Sequence, residues 1–233
     1  MIPPNHPIVG ILGGMGPEAT VELMRRLIAR TPAQDDQDHL HLLVDCNPKI
    51  PSRIAHLVDG VGIDPTDELV RMARNLESGG ATLLAMPCNT AHGYAAAIGA
   101  AVGIPLINMV EQTAAAVMAL GVRRVALLAS SAVVKTQLYA RAIDHFGGQI
   151  ILPSQQSDVM DIIWSVKRGV TGPVQSAALG SIMHEMAECA DVVVIACTEL
   201  SVIAQQPNLT IPVIDALDVL TTAILRAVDI TNR

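Results

Sequence analysis

Along the chain, short apolar runs alternate with longer stretches in which apolar residues recur every three or four positions. The runs at 7–12, 40–45, 82–86, 105–108, 124–129, 149–152, 192–196 and 212–215 have strand length, and most lack polar alternation, as strands covered on both faces do. Between them, PEATVELMRRLIAR from Pro17 places proline near a helix start, and DPTDELVRMARNLESGG from Asp64 ends a helical pattern on glycine. Strands and helices in alternation predict an α/β fold with mainly parallel sheets.

The pattern also repeats. VGILGGMGP from Val9 is echoed by VALLASSAV from Val125, ATLLAMPCNTAH from Ala81 by DVVVIACTELSV from Asp191, and IPLINMVEQTAAAVMAL from Ile104 by IPVIDALDVLTTAILRAV from Ile211. The offsets are 116 from Val9 to Val125, 109 from Cys88 to Cys197 and 107 from Ile104 to Ile211, a slow drift of the kind a duplication leaves. Two similar α/β halves are expected, and if they pack face to face about a pseudo-twofold axis, one ligand would lie between them. The expected division is 1–109 plus 211–233 for the Cys88 half and 110–210 for the Cys197 half.

Composition narrows the function. The 233 residues are enough for two cores, 51% are hydrophobic and only 2% aromatic, which suits helices packed on parallel sheets and leaves little for stacking nucleobases. A net charge of -7, with Lys and Arg totalling 15, argues against a phosphate-backbone partner. The first residues lack the basic and apolar blocks of a signal peptide, and no apolar run reaches membrane-spanning length, so no membrane partner is expected. Cys46, Cys88, Cys189 and Cys197 show no CxxC spacing, which points to neither a zinc site nor a redox pair. A cytoplasmic protein with reduced thiols is the expectation. Gly10, Gly13, Gly14 and Gly16 do not form GxGxxG, so the glycine-rich start is not read as a nucleotide site.

Two cysteines carry the candidate chemistry. Cys88 and Cys197 each close an apolar strand, precede a helix start and stand at equivalent points of the repeat, where open parallel sheets place ligands. The helix dipole behind each is expected to lower the thiol pKa and favour a thiolate. A lone cysteine there reads as a small buried hydrophobe. Two at duplicated positions, each with a threonine close behind (Thr90 and Thr198), read as opposed half-sites. A thiolate on one face of a ligand and a thiol on the other would invert a stereocentre without metal or ring cofactor. Asn89, Thr90, Thr198 and Glu199 add groups that hold a carboxylate or orient the sulfur. Cys46 and Cys189 have no counterpart in the repeat and are read as structural. His92 is read first as capping or packing, and Asp45 and Asn47 as bonding the loop backbone.

GILGGMGPEAT, NPKIPSR, PCNTAH and ACTEL together resemble the aspartate/glutamate racemase family, over essentially the whole chain. The resemblance implies two α/β/α domains, a homodimer, a small amino-acid substrate, no pyridoxal phosphate or other cofactor, and no metal. It implies Cys88 and Cys197 as the catalytic pair. Met15, Asn89, Thr90 and Thr198 would hold the α-carboxylate and amino group, and Arg53 and Lys167 a distal carboxylate. Ser130 and Glu199 complete the expected substrate site. Ser52 stands where relatives often have aspartate, and Val133 where they often have threonine, with Ser130 and Ser131 nearby. The expected reaction is interconversion of L- and D-aspartate, or glutamate. Maleate isomerisation, hydantoin racemisation, and a dicarboxylate-binding protein without catalysis are the alternatives.

Overall fold

A computed structural model describes residues 7–204 and 208–228. The first half runs β1 (Ile8–Gly13), α1 (Pro17–Arg30), β2 (His41–Cys46), α2 (Thr66–Ser78), β3 (Leu83–Ala85), α3 (Ala95–Ala101) and α4 (Met109–Met118). The second runs β4 (Arg124–Ala129), α5 (Ser131–Thr136), α6 (Leu138–Asp144), β5 (Gln149–Ile151), α7 (Gln156–Lys167), α8 (Pro173–Ala187), β6 (Val192–Ala196), α9 (Thr198–Ile203), β7 (Val213–Asp215) and α10 (Ala216–Ala227). Every strand pairing is parallel, in the orders β2-β1-β3 and β5-β4-β6-β7. No helix among the described residues is long and apolar enough to cross a membrane.

The α/β architecture and its two matching sheets are as the pattern predicts, with one strand reduced. Of 105–108, only Leu106 forms a bridge, parallel to Leu84, at the position that β7 occupies in the second sheet. Pro105 supplies no N–H and Asn108 is already turned to cap α4, so this short segment cannot extend the ladder.

Helices cover both faces of each sheet, and one helix from each half crosses over. Val110, Ala114 and Val117 of α4 pack with Val125 and Leu127 of the second sheet, whereas Leu217, Leu220 and Ile224 of α10 pack with Val9 and Ile11 of the first. The elements of 211–233, expected with the Cys88 half, divide between the two sheets. In 211–233, the helix packs on the first sheet but the strand before it, β7, is hydrogen-bonded to β6 and belongs to the second. The apolar strand and apolar helix each found the nearest uncovered partner, and those partners lie in different sheets.

Complete burial of β3 and β6 makes the backbone before each cysteine rigid. Each enclosed Val, Leu or Ile there contributes about 1.5–3 kcal/mol. The glycine-rich turn after β1 has a steric cause. Gly14 sits at φ +89, and a Cβ on it would stand 2.3 Å from the Asn47 backbone, so the approach of β1's end to β2's end requires glycine. That turn delivers Met15, 3% exposed, toward the cysteines.

Candidate active site

One cavity of about 180 Å3 is lined by Met15, Arg53, Cys88, Asn89, Thr90 and Ser130 together with Lys167, Cys197, Thr198 and Glu199. Every residue singled out as a site candidate from the sequence therefore borders the same space, with contributions from both halves. Both cysteines are buried, each 6% exposed, and both are free thiols. Cys46 and Cys189 are free as well, but exposed.

The two half-sites differ in detail. Cys197 stands at the N-cap position of α9 without a side-chain capping bond, and its thiol donates to Glu199 Oε2 at 3.1 Å. The other oxygen of Glu199 is ion-paired with Lys167 at the end of α7. Burial, then the adjacent Glu199 charge, push the Cys197 thiol well above the ordinary cysteine range, while Lys167 pulls it the other way. The expectation that a helix dipole lowers this pKa is thus overturned. A six-residue helix offers little dipole against full burial beside a carboxylate. Burial alone would lower the Lys167 ammonium, but the Glu199 charge and hydrogen bond reverse that and hold it above the usual lysine value. Lys167, expected on a distal substrate carboxylate, is here paired with a protein carboxylate.

Cys88 opens into a 3-10 turn, Thr90–Tyr94, rather than directly into an α-helix. The turn is bound across the cleft: the Thr90 and Ser130 hydroxyls are 3.0 Å apart, and Thr198 Oγ1 donates to the Pro87 carbonyl at 3.1 Å. Tyr139 Oη donates to Asn89 Oδ1 at 2.6 Å, leaving the buried Asn89 Nδ2 without a protein partner. Arg53 gives its hydrogen bonds to backbone carbonyls of Pro51 (3.1 Å), Met15 (3.4 Å) and Ile50 (3.5 Å), and its Nε is buried without a partner. Buried donors are normally satisfied, so Arg53 Nε and Asn89 Nδ2 stand out as two unsatisfied donors on residues that line one cavity.

His92 faces elsewhere. Its Nδ1 lies 2.9 Å from the Cys88 carbonyl and its Nε2 accepts from Met109 N at 3.0 Å, so both ring nitrogens bind backbone. Burial lowers its pKa, which keeps the ring neutral. Ser52 borders the cavity and caps the Ala55 N–H, and Val133 is buried in the second core. Asn47 accepts from the Lys49 N–H, as read from the sequence, and also donates to Glu68.

Three residues escaped the sequence reading. Tyr139 orients Asn89; Trp164 lines the cavity; Tyr94 packs in the Cys88 core with its hydroxyl pushed up to about 12 by burial. The signal was scarcity. The chain has one Trp, two Tyr and one Phe, and three of those four stand at or beside the site.

A sequence profile described as Asp/Glu/Hydantoin racemase matches residues 12–224. The chain belongs to that family. Membership in the racemase family makes it an isomerase of the racemase class. It is 25% identical over 214 residues to the broad specificity amino-acid racemase RacX of Bacillus subtilis (strain 168), covering 90% of this chain and 92% of that protein. Its fold matches an aspartate racemase of Picrophilus torridus at a TM-score of 0.87 and 30% identity, over 96% of this chain and 94% of the other. It also matches the maleate isomerase Iso of Pseudomonas putida S16, with a TM-score of 0.63, 18% identity and coverage of 95% and 92%, a likeness of fold. In this racemase-family protein the cavity lies between the two repeated halves.

Proposed function

We propose that this protein racemises aspartate, with glutamate the nearest alternative, one of Cys88 and Cys197 removing the α-proton and the other supplying a proton to the opposite face, without a cofactor. The observation that carries this reading is the single cavity bordered by one repeat-related cysteine from each half and by the unsatisfied donors of Arg53 and Asn89. A cavity of about 180 Å3 suits a small metabolite, being below the roughly 300–1,000 Å3 that holds drug-sized ligands. Asn89 Nδ2 and the hydroxyls of Thr90 and Thr198 take the α-carboxylate and amino group, and the Arg53 guanidinium takes the distal carboxylate. The cysteine on one face then removes the α-proton as thiolate, while the thiol opposite returns one to the other face. Glu199, which accepts from the Cys197 thiol, relays that proton to solvent when Cys197 is the base, so the thiolate forms with loss of one proton from the site. The likeness to the Picrophilus torridus aspartate racemase supports the substrate.

The test is incubation of each enantiomer of aspartate and glutamate in deuterium oxide. Decay of the circular dichroism signal should accompany deuterium entry at the α-carbon. Absence of exchange with both amino acids, alongside turnover of maleate or a hydantoin, would replace this reading.

A second reading, racemisation of several amino acids, is favoured by the engagement of Lys167 with Glu199, which leaves Arg53 as the cation lining the cavity with no carboxylate partner among the described residues. Arg53→Gln separates the two. If the distal carboxylate is recognised, kcat/KM for aspartate falls about 10- to 100-fold, the range of a lost charged hydrogen bond, while alanine turnover is unchanged. Equal effects on aspartate and alanine would favour broad acceptance.

A further inference from the structure

The repeat extends beyond the cysteines to what holds them. Four residues after Cys88, His92 ties the Cys88 carbonyl to the first residue of α4. Four residues after Cys197, at the same offset of 109 that separates the cysteines, stands Ser201. Its hydroxyl lies 3.5 Å from the Cys197 carbonyl and donates to Asp215 Oδ1 at 2.6 Å. Asp215 is the N-cap of α10, as Asn108 is of α4. Each cysteine turn is thus linked to the cap region of the crossover helix that starts beside it.

The second link carries a charge network that the first lacks. Arg26 of α1 donates to Asp215 Oδ2 at 2.7 Å, to the Ser201 carbonyl at 2.8 Å and to Glu22 at 2.7 Å. Arg26 and Asp215 side chains are each only 11% exposed. The element they grip is α9, six residues long, which carries Cys197 at its cap and Glu199 in its first turn. A helix this short does not hold its own shape or direction, so external anchors set where the sulfur points.

We propose that Arg26, Ser201 and Asp215 form a positioning clamp for Cys197, the counterpart of the His92 clamp on Cys88. None of the three lines the cavity; they act through the backbone and direction of α9. The functional consequence rests on the proposed use of both thiols, but the clamp itself is readable without any turnover.

The experiment measures alkylation of each cysteine by iodoacetamide, resolved by peptide mass spectrometry, in the unaltered protein, Asp215→Asn and His92→Gln. Asp215→Asn keeps an acceptor for the Leu217 N–H, as Asn108 caps α4, while removing the charge that faces Arg26. The Cys197 rate should change several-fold in Asp215→Asn with Cys88 unaffected, and His92→Gln should show the reverse. With aspartate as substrate, Asp215→Asn should lower kcat about 10- to 100-fold with KM near its starting value, the scale of a small misplacement of a reacting group. Ser201→Ala should reproduce the Cys197 effect, and Ser201→Thr, which keeps the hydroxyl, should restore it. Equal shifts at both cysteines, or a lowered Tm with neither rate changed, overturn the clamp. Selective alkylation shifts without racemisation of any amino acid would uphold the clamp and fail the proposed function instead.

Discussion

Cys88→Ser and Cys197→Ser should each lower racemisation of aspartate by about 10²–10⁴-fold, the contribution of a positioned acid or base, and the double variant should fall little further. A serine hydroxyl retains the donor but is far too weak an acid to supply the anion. Because enantiomers are equal in free energy, kcat/KM falls equally in both directions for either variant. Hydrogen exchange distinguishes the two sulfurs where racemisation cannot. A variant left with one thiol can still remove the α-proton from the enantiomer that presents it, and return a solvent-derived one to the same face. Deuterium should therefore enter one enantiomer without inversion in Cys88→Ser, and the other in Cys197→Ser. Exchange of both enantiomers by a single-cysteine variant would mean that another base reaches the α-carbon, and the two-thiol reading would fail.

The placement of both cysteines on one cavity was legible in the chain because it rests on local features: an apolar strand, a cysteine and a threonine just after it, twice, at an offset of 109. Repeated local pattern becomes repeated structure when each copy closes its own sheet, and the strand orders β2-β1-β3 and β5-β4-β6-β7 match in this way. What escaped depends on contacts between the copies. The crossing of α4 and α10 onto opposite sheets follows from which apolar face is left uncovered, which no window of sequence contains. Tyr139 reaches Asn89 across 50 positions, and Arg26 reaches Asp215 across 189. Arg53 and Lys167 looked alike as cations, yet only Lys167 found a carboxylate partner. The Cys197 pKa went against expectation for a different reason, inside one copy: burial first, then the charge of Glu199 two residues on, decide its direction rather than the helix that follows.

Lys167→Met and Glu199→Gln should move the pH dependence of kcat in opposite directions. The proposed reaction requires one thiolate and one thiol, so its profile should be bell-shaped and belong to the pair. Its ascending limb, in the direction where Cys197 is the base, reports ionisation of a thiol already raised by burial and by Glu199 and lowered by Lys167. Removing the ammonium deletes the lowering influence, so the limb moves to higher pH, and each unit of displacement costs about tenfold in rate below it. Removing the Glu199 charge deletes a raising influence and leaves Lys167 beside the thiol, so the limb moves to lower pH. The plateau of Glu199→Gln should still drop by about 10²-fold, because an amide does not take the Cys197 proton. Stability separates the variants again. Lys167→Met strands a carboxylate whose side chain is only 7% exposed. The cost, up to about 3 kcal/mol, lies at the low end for a broken buried pair, because Lys167 keeps 26% of its side chain in solvent. Chemical denaturation measures that loss. Displacement of both limbs in the same direction would show that Lys167 and Glu199 act on the substrate rather than on Cys197.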